Sequence, residues 1–216
     1  MATTLSAPKI KVFQLLWATD DSQNEVENFI DSHAETSALR KNLKYTESRP
    51  HLTIPQELRP QNLLTGALAG PKKITVAPYV FSDPGKSLVM IIHLGKETCS
   101  HDGIVHGGLL ATLLDECLTR CCCPAFSKKV AVTANLNIDY RNPAMANSYF
   151  VLTANITKLE GRKAWMDGRI ETLPSNEEKS SVIAEAKSLF IEPKEGAGLN
   201  GPYKAEATGD KRYFQL

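Results

Sequence analysis

The chain has 216 residues, enough to bury a real core as one domain with an extension. With 25 Lys and Arg against 24 Asp and Glu, the formal net charge is +1, which removes the strongest electrostatic case for nucleic acid or an acidic membrane surface as the main partner and leaves room only for local basic patches. Five cysteines, three of them consecutive at Cys121, Cys122 and Cys123, do not read as a secreted disulfide framework, and a reducing compartment is expected.

From the N-terminus, Met1 to Trp17 carries Lys9 and Lys11 but no arginine, and its apolar stretch Val12 to Ala18 is brief and holds Gln14. A secretory signal is not expected; an intracellular location follows, with the cytoplasm favoured and the mitochondrion as the alternative. No apolar run approaches the roughly 20 residues that cross a bilayer. Asp21 to Ala34 reads as an amphipathic helix, because Val26, Phe29, Ile30 and His33 recur at helical spacing after the capping candidates Asp20, Asp21 and Ser22. Pro50, Pro55, Pro60 and Pro71 then break the chain into short turns. Residues 1–70 are thus expected to form a helical, irregular arm packed on a main domain spanning 71–193, with a tail over 194–216.

From Ile74 the pattern changes. Ile74–Phe81 and Leu88–Leu94 flank Asp83-Pro84-Gly85-Lys86 and predict a hairpin. Gly107–Cys122 has no proline and dense leucines, and its apolar residues go nearly all the way round, which predicts a helix buried on most sides. Val130–Tyr140 alternates, with Val130, Val132, Ala134, Leu136, Ile138 and Tyr140 on one face and Thr133, Asn135, Asn137 and Asp139 on the other. Phe150–Leu159, Lys163–Leu173 and Val182–Ile191 follow as strands, with turns at Glu160-Gly161-Arg162 and Pro174-Ser175-Asn176. A hairpin, one buried helix and four successive strands make an α+β fold in which a curved antiparallel sheet wraps one long central helix.

Chemistry concentrates in Gly103 to Glu116. A loop ends at His106, and Gly107 and Gly108 open the helix, where unsatisfied N–H groups and the helix dipole favour a developing oxyanion. Asp115 lies two turns further on, among leucines. It reads either as a general base or nucleophile, or as a structural carboxylate capping a neighbouring loop. Glu116 is the competing carboxylate, turned about 100° away on the helix, and only one of the two can face the site.

His106-Gly107-Gly108 followed by Ala111-Thr112-Leu113-Leu114-Asp115 resembles the signature of PaaI-like hotdog thioesterases. The match continues in Val132 to Tyr140, in Leu159 to Lys163 and in Ala184 to Ile191, and together these blocks resemble the acyl-CoA thioesterase subgroup that includes the carboxyl-terminal modulator protein. The resemblance covers about Ile74 to Pro193. It implies a homodimer, or a dimer of dimers, with the active site across the subunit interface. It implies Asp115 as base or nucleophile, Gly107 as the oxyanion donor and Thr133 as the residue that positions water, so that Asp115 and Thr133 face Gly107 of the partner subunit. Some family members carry asparagine six residues before the histidine to orient the thioester; Ser100 stands there in this chain, with shorter reach.

His106 either orients the loop or donates to the substrate carbonyl, or it is a helix-entry residue that hydrogen-bonds the backbone. Arg141, Asn142, Gly161, Arg162 and Lys163 sit in turns where family members contact the coenzyme A phosphates; the ordinary alternative is solvated turn charge, and Gly108 joins them as a substrate-binding residue. His93, His101 and Cys99 lack metal-ligand spacing, so no metal is expected, and no cofactor is implied beyond the coenzyme A of the substrate itself. The cysteine triplet reads as small core residues rather than nucleophiles. The function expected is hydrolysis of a fatty or related acyl-CoA in lipid metabolism. Acyl or polyketide release from a carrier protein and a non-catalytic regulatory binding protein stand as alternatives, while the motif fits a hotdog dehydratase poorly.

Overall fold

The computed structural model describes residues 21–174 and 179–194. Asp20, part of the Pro174-Ser175-Asn176 turn, the first segment and the tail after Lys194 lie outside the described residues.

The arm opens with α1 (Asp21–Ser32) and α2 (Ala34–Lys41). Val26 and Ile30, one turn apart, are both buried, whereas Phe29 stays 43% exposed and stacks on Tyr149. The single helix expected over Asp21–Ala34 breaks at His33. Its backbone is extended, and its Nδ1 accepts the Glu35 N–H at 3.1 Å, capping α2. β1 (Thr46–Ser48) and α3 (Pro50–Thr53) follow, then a 3-10 turn at Gln56–Gln61 and a π turn at Leu63–Ala67. Proline recurs through this stretch, and the elements are correspondingly short.

β2 (Tyr79–Asp83) and β3 (Ser87–Leu94) form the expected hairpin. Its first strand starts later than Ile74, although Ile74 still bridges Leu94. Pro78 has no N–H to give the ladder, which accounts for the interruption. A small ribbon, β4 (Cys99–His101) with β5 (Ile104–Val105), leads into α4 (Gly107–Cys122). β6 (Val132–Tyr140), β7 (Ser148–Glu160), β8 (Lys163–Thr172) and β9 (Val182–Ile191) complete an antiparallel sheet in the order β1-β2-β3-β7-β8-β9-β6.

α4 touches β3, β7, β8, β9 and β6. Five flat strands would spread over about 19 Å, wider than a helix of about 10 Å with its side chains, so the sheet must bend round the helix. Leu113, Leu114 and Leu118 meet Met90, Ile92, Phe150, Leu152, Met166 and Phe190 in this inner core. Gly168 faces α4, where an added Cβ would lie 3.1 Å from Leu118, so the glycine sets how closely helix and sheet approach.

The outer face of β2, β3 and β7 is also buried. Phe81, Val89, Ile91 and Val151 lie under Val26, Ile30 and Leu39 of the arm. Burial on both sides explains why Leu88 to Leu94 reads as a continuous apolar run rather than an alternating one. The arm then crosses the sheet edge as β1 and continues on the inner side, where Leu52, Leu64 and Leu68 join the core around α4.

Candidate functional site

α4 is not buried on most sides, as its leucines suggest. Leu109, Leu110, Leu113, Leu114, Cys117, Leu118, Cys121 and Cys122 face inward, but Ala111, Thr112, Asp115 and Thr119 form a half-exposed stripe beside the edge strand β6. Asp115 therefore keeps access to solvent, and the desolvation expected of a buried carboxylate is only partial.

Thr133 Oγ1 donates to Asp115 Oδ1 at 2.6 Å. The alternating pattern of the strand puts Thr133 on the face away from Leu136 and Ile138. The pairing corrects this: Thr133 lies opposite Phe190 and Asn135 opposite Leu189, so Ala134 is an extra residue, a bulge. Leu136, Ile138 and Tyr140 pair with Ser188, Ala186 and Ala184, all buried on the helix side. Thr133 joins that face because the bulge shifts the phase of the strand, and Val132 is left 37% exposed.

At the head of α4, His106 Nδ1 accepts the Gly108 N–H at 2.8 Å. His106 is thus the helix cap, and as a neutral ring it carries its proton on Nε2. An added Cβ on Gly108 would sit 3.0 Å from the His106 ring, a crowded contact that glycine avoids. With the Gly108 N–H taken by the cap, the Gly107 N–H remains a first-turn donor with no acceptor within the helix. Tyr140 was legible only as an apolar member of its strand, yet its hydroxyl donates to the Gly107 carbonyl oxygen at 2.9 Å and its ring lies against Gly107. Tyrosine at the open end of an apolar stripe was the one available signal.

Glu116 faces away, toward the arm. Its Oε1 accepts from Arg120 Nε at 2.6 Å and lies 3.8 Å from His51 Nε2. Burial works to raise the Glu116 carboxyl pKa, but His51 and the Arg120 guanidinium outweigh it and hold it down to about 2. Burial in turn pushes His51 below the usual imidazole range, and neither of its ring nitrogens has a hydrogen-bond partner among the described residues. Glu116 is an ion-pair member and Asp115 is the carboxylate that faces the open stripe.

The other sequence candidates divide. Gly161, at φ +55°, turns β7 into β8, and Lys163 pairs with Ile191, which also pairs with Val132, so the turn sits level with Thr133 across one intervening strand. Arg162 donates to the Glu192 carbonyl oxygen at 2.7 Å. Ser100 is exposed on β4 and lines a shallow groove with Lys96, Cys99, His101 and Asn147. Arg141 is not brought to Asp115: it pairs with Glu185 at 3.0 Å and Asp139 at 3.2 Å in a polar cleft of about 690 Å³ on the outer face of the sheet. Asn142 donates to the Val182 carbonyl oxygen at 2.7 Å. Cys117, Cys121, Cys122 and Cys123 are buried, and burial pushes the Cys121 thiol up to about 12. His93 is buried against Thr75, 2.7 Å away.

The sequence pattern of the thioesterase superfamily matches residues 102–179. An uncharacterized mitochondrial protein of Candida albicans is 37% identical over 155 residues, covering 71% of this chain and 69% of the relative. An acyl-coenzyme A thioesterase, THEM4, of Rattus norvegicus is 37% identical over 106 residues, 49% of this chain and 43% of that protein. Among solved structures, zebrafish thioesterase superfamily member 2 aligns with a TM-score of 0.47 at 20% identity, over 53% of this chain and 81% of the other.

Proposed function

The chain belongs to the hotdog-fold thioesterase superfamily, and from that premise we propose that it hydrolyses acyl-CoA thioesters with Asp115 as the catalytic carboxylate. The observation that carries the reading is the Thr133–Asp115 hydrogen bond, made by a strand bulge that aims a hydroxyl at the one carboxylate on the open stripe of α4. The likeness to THEM4, whose name states an acyl-coenzyme A thioesterase, supports coenzyme A rather than a carrier protein as the thiol.

Thr133 donates to one Asp115 oxygen and fixes the carboxylate, which leaves the other oxygen to take a proton from water. The Thr133 oxygen keeps lone pairs that accept from the same water. That water attacks the thioester carbonyl carbon, the carbonyl oxygen becomes an oxyanion, and the tetrahedral intermediate collapses with loss of the coenzyme A thiolate. The proton held by Asp115 passes to the thiolate. The products are the free acid and the thiol.

The oxyanion donor has to come from a second copy. Gly107 lies eight residues from Asp115 on one helix, about 12 Å along the axis, too far to polarise the carbonyl that Asp115 serves. β6 ends the sheet with one edge open, beside the stripe that carries Asp115. Pairing of two β6 edges would give a homodimer, with the possibility of a dimer of dimers, and bring Gly107 of the partner subunit to Asp115. His106 Nε2–H, Ser100 and Gly108 then line the thioester end, and Gly161, Arg162 and Lys163 lie level with Thr133 to meet the coenzyme A phosphates. Arg141 and Asn142, on or near the outer face, would reach coenzyme A only at the dimer edge. The mitochondrial relative makes the mitochondrion at least as good a location as the cytoplasm.

Release of free thiol from a panel of acyl-CoA esters tests the reading. Turnover that Asp115→Ala abolishes while the dimer persists is the expected result. A wild-type dimer that binds acyl-CoA without hydrolysing any of the panel would contradict it.

A further inference from the structure

The chain carries almost no net charge, yet its cations are not evenly spread. Antiparallel pairing brings the starts of β1, β3, β6 and β8 and the ends of β2, β7 and β9 to one end of the molecule. Lys44 precedes β1, Lys86 sits in the β2–β3 turn, Lys129 in the loop from α4 to β6, and Lys158 at the tip of β7, all of them exposed. Lys128, Arg162, Lys163 and Lys194 are exposed at the same end. The carboxylates there, among the described residues, are Glu47, which pairs with Arg40 at 2.7 Å, Asp83, 3.7 Å from Lys86, Glu160, which pairs with Lys158 at 2.5 Å, and Glu192. Glu192 is buried, accepts from Ser127 Oγ at 2.9 Å and the Lys128 N–H at 2.6 Å, and offsets Lys128 and Arg162, which leaves eight exposed cations against four carboxylates at this end among the described residues.

Two leucines stand among these lysines. Leu43 is 100% exposed beside Lys44, and Leu159 is 48% exposed between Lys158 and Glu160 at the tip of the β7–β8 hairpin. Followed along the curved seven-stranded sheet, the basic row extends over roughly 29 Å of arc, several times the breadth of a single phosphate group. A wide row of cations with apolar tips matches a plane of anionic headgroups over acyl chains, where each basic residue near the surface contributes about 1 kcal/mol.

We infer that this end of the sheet docks on an anionic lipid surface, through Lys44, Lys86, Lys129 and Lys158 with Leu43 and Leu159 entering the headgroup layer. The four lysines and two leucines take no part in the proposed reaction, although Arg162 and Lys163 of the proposed coenzyme A contact lie at the same end. It puts the β7–β8 hairpin against the membrane, where acyl-CoA, itself an amphiphile, also partitions.

Sedimentation with vesicles tests it, using the full chain. Wild type should pellet with phosphatidylcholine vesicles holding about 30% phosphatidylserine, should not pellet with phosphatidylcholine alone, and should be released at about 0.5 M salt. Combined Lys44→Glu, Lys86→Glu, Lys129→Glu and Lys158→Glu, all at exposed positions outside the proposed active site, should lower the apparent lipid affinity at least about 100-fold with acyl-CoA hydrolysis in solution unchanged. Leu43→Ser with Leu159→Ser should weaken binding several-fold. Asp115→Asn should bind vesicles like wild type, which separates this inference from the catalytic one. Equal binding of wild type and the charge-reversed variant, no dependence on phosphatidylserine, or no loss in the leucine variant together with equally tight binding of single-stranded RNA would each overturn it.

Discussion

The Tyr140 hydroxyl donates to the Gly107 carbonyl oxygen at 2.9 Å, tying the far end of β6 to the first turn of α4. The opposite end of the same strand is tied to the same helix by Thr133 and Asp115. One edge strand therefore fixes both groups that the proposed reaction uses, the amide of Gly107 and the carboxylate of Asp115. Removing only the hydroxyl, in Tyr140→Phe, should loosen the first turn. One hydrogen bond of about 1 kcal/mol predicts roughly a fivefold fall in kcat with little change in KM. Steady-state kinetics with an acyl-CoA ester reads this directly, and an unchanged kcat would remove Tyr140 from the account.

The bulge at Ala134 makes a sharper prediction. Thr133→Val should lower kcat by about 10- to 100-fold, since it removes the donor to Asp115, while Thr133→Ser should retain most activity. Moving the hydroxyl one residue on, in Thr133→Ala combined with Ala134→Thr, should not rescue. Under simple alternation residue 134 would face the helix, so rescue by the double variant would mean that the strand has no bulge.

How much of this was legible in the sequence depends on whether the signal was local. α4 begins and ends where glycine spacing and the leucine run put it, and the four strands after it fall within a few residues of expectation, because turn residues and periodicity mark them. The bulge left no trace. Val130 to Tyr140 alternates without a break, and the extra residue appears only when the strand is laid against β9. The open stripe of α4 was hidden for a similar reason: Ala111 and Thr112 do not interrupt a leucine-rich run, and which face stays uncovered depends on where the sheet ends. β1 is three residues long and polar, and it exists as a strand only through its pairing with β2. Glu116 could be separated from Asp115 by angle, but its partners Arg120 and His51 were not predicted, and His51 arrives from the arm 65 positions away in sequence.

Glu116 should matter to stability and not to turnover. Its carboxyl titrates near 2 in the folded chain, below the value of about 4.3 for an unperturbed glutamate. The folded state thus holds this proton less tightly than the unfolded state, and the stabilisation is complete above about pH 4.5 and is lost as pH falls toward 2. Glu116→Gln should be less stable than wild type at neutral pH, and the difference should shrink between pH 5 and pH 3 in urea titrations, with kcat at neutral pH within about twofold. A constant difference across that range would show that the carboxylate charge is not what stabilises this contact.

His93 gives a second pH window. Burial lowers its pKa to about 4, against about 6.5 when unfolded. Protons bind the unfolded chain more readily between those values, so stability should be full above pH 6.5 and decline as pH falls toward 4. His93→Gln, which keeps a polar partner for Thr75, should flatten the fall of Tm between pH 7 and pH 4; an identical slope in the variant would assign that fall to other groups.

The central claim is that Asp115 is the group that activates water. The direct measurement is single-turnover hydrolysis of an acyl-CoA ester by Asp115→Asn, with coenzyme A affinity and thermal melting followed in parallel. The account predicts a rate lower by about 10²- to 10⁴-fold, with folding and coenzyme A binding close to wild type. A correctly folded Asp115→Asn that turns over within a few-fold of wild type would contradict it.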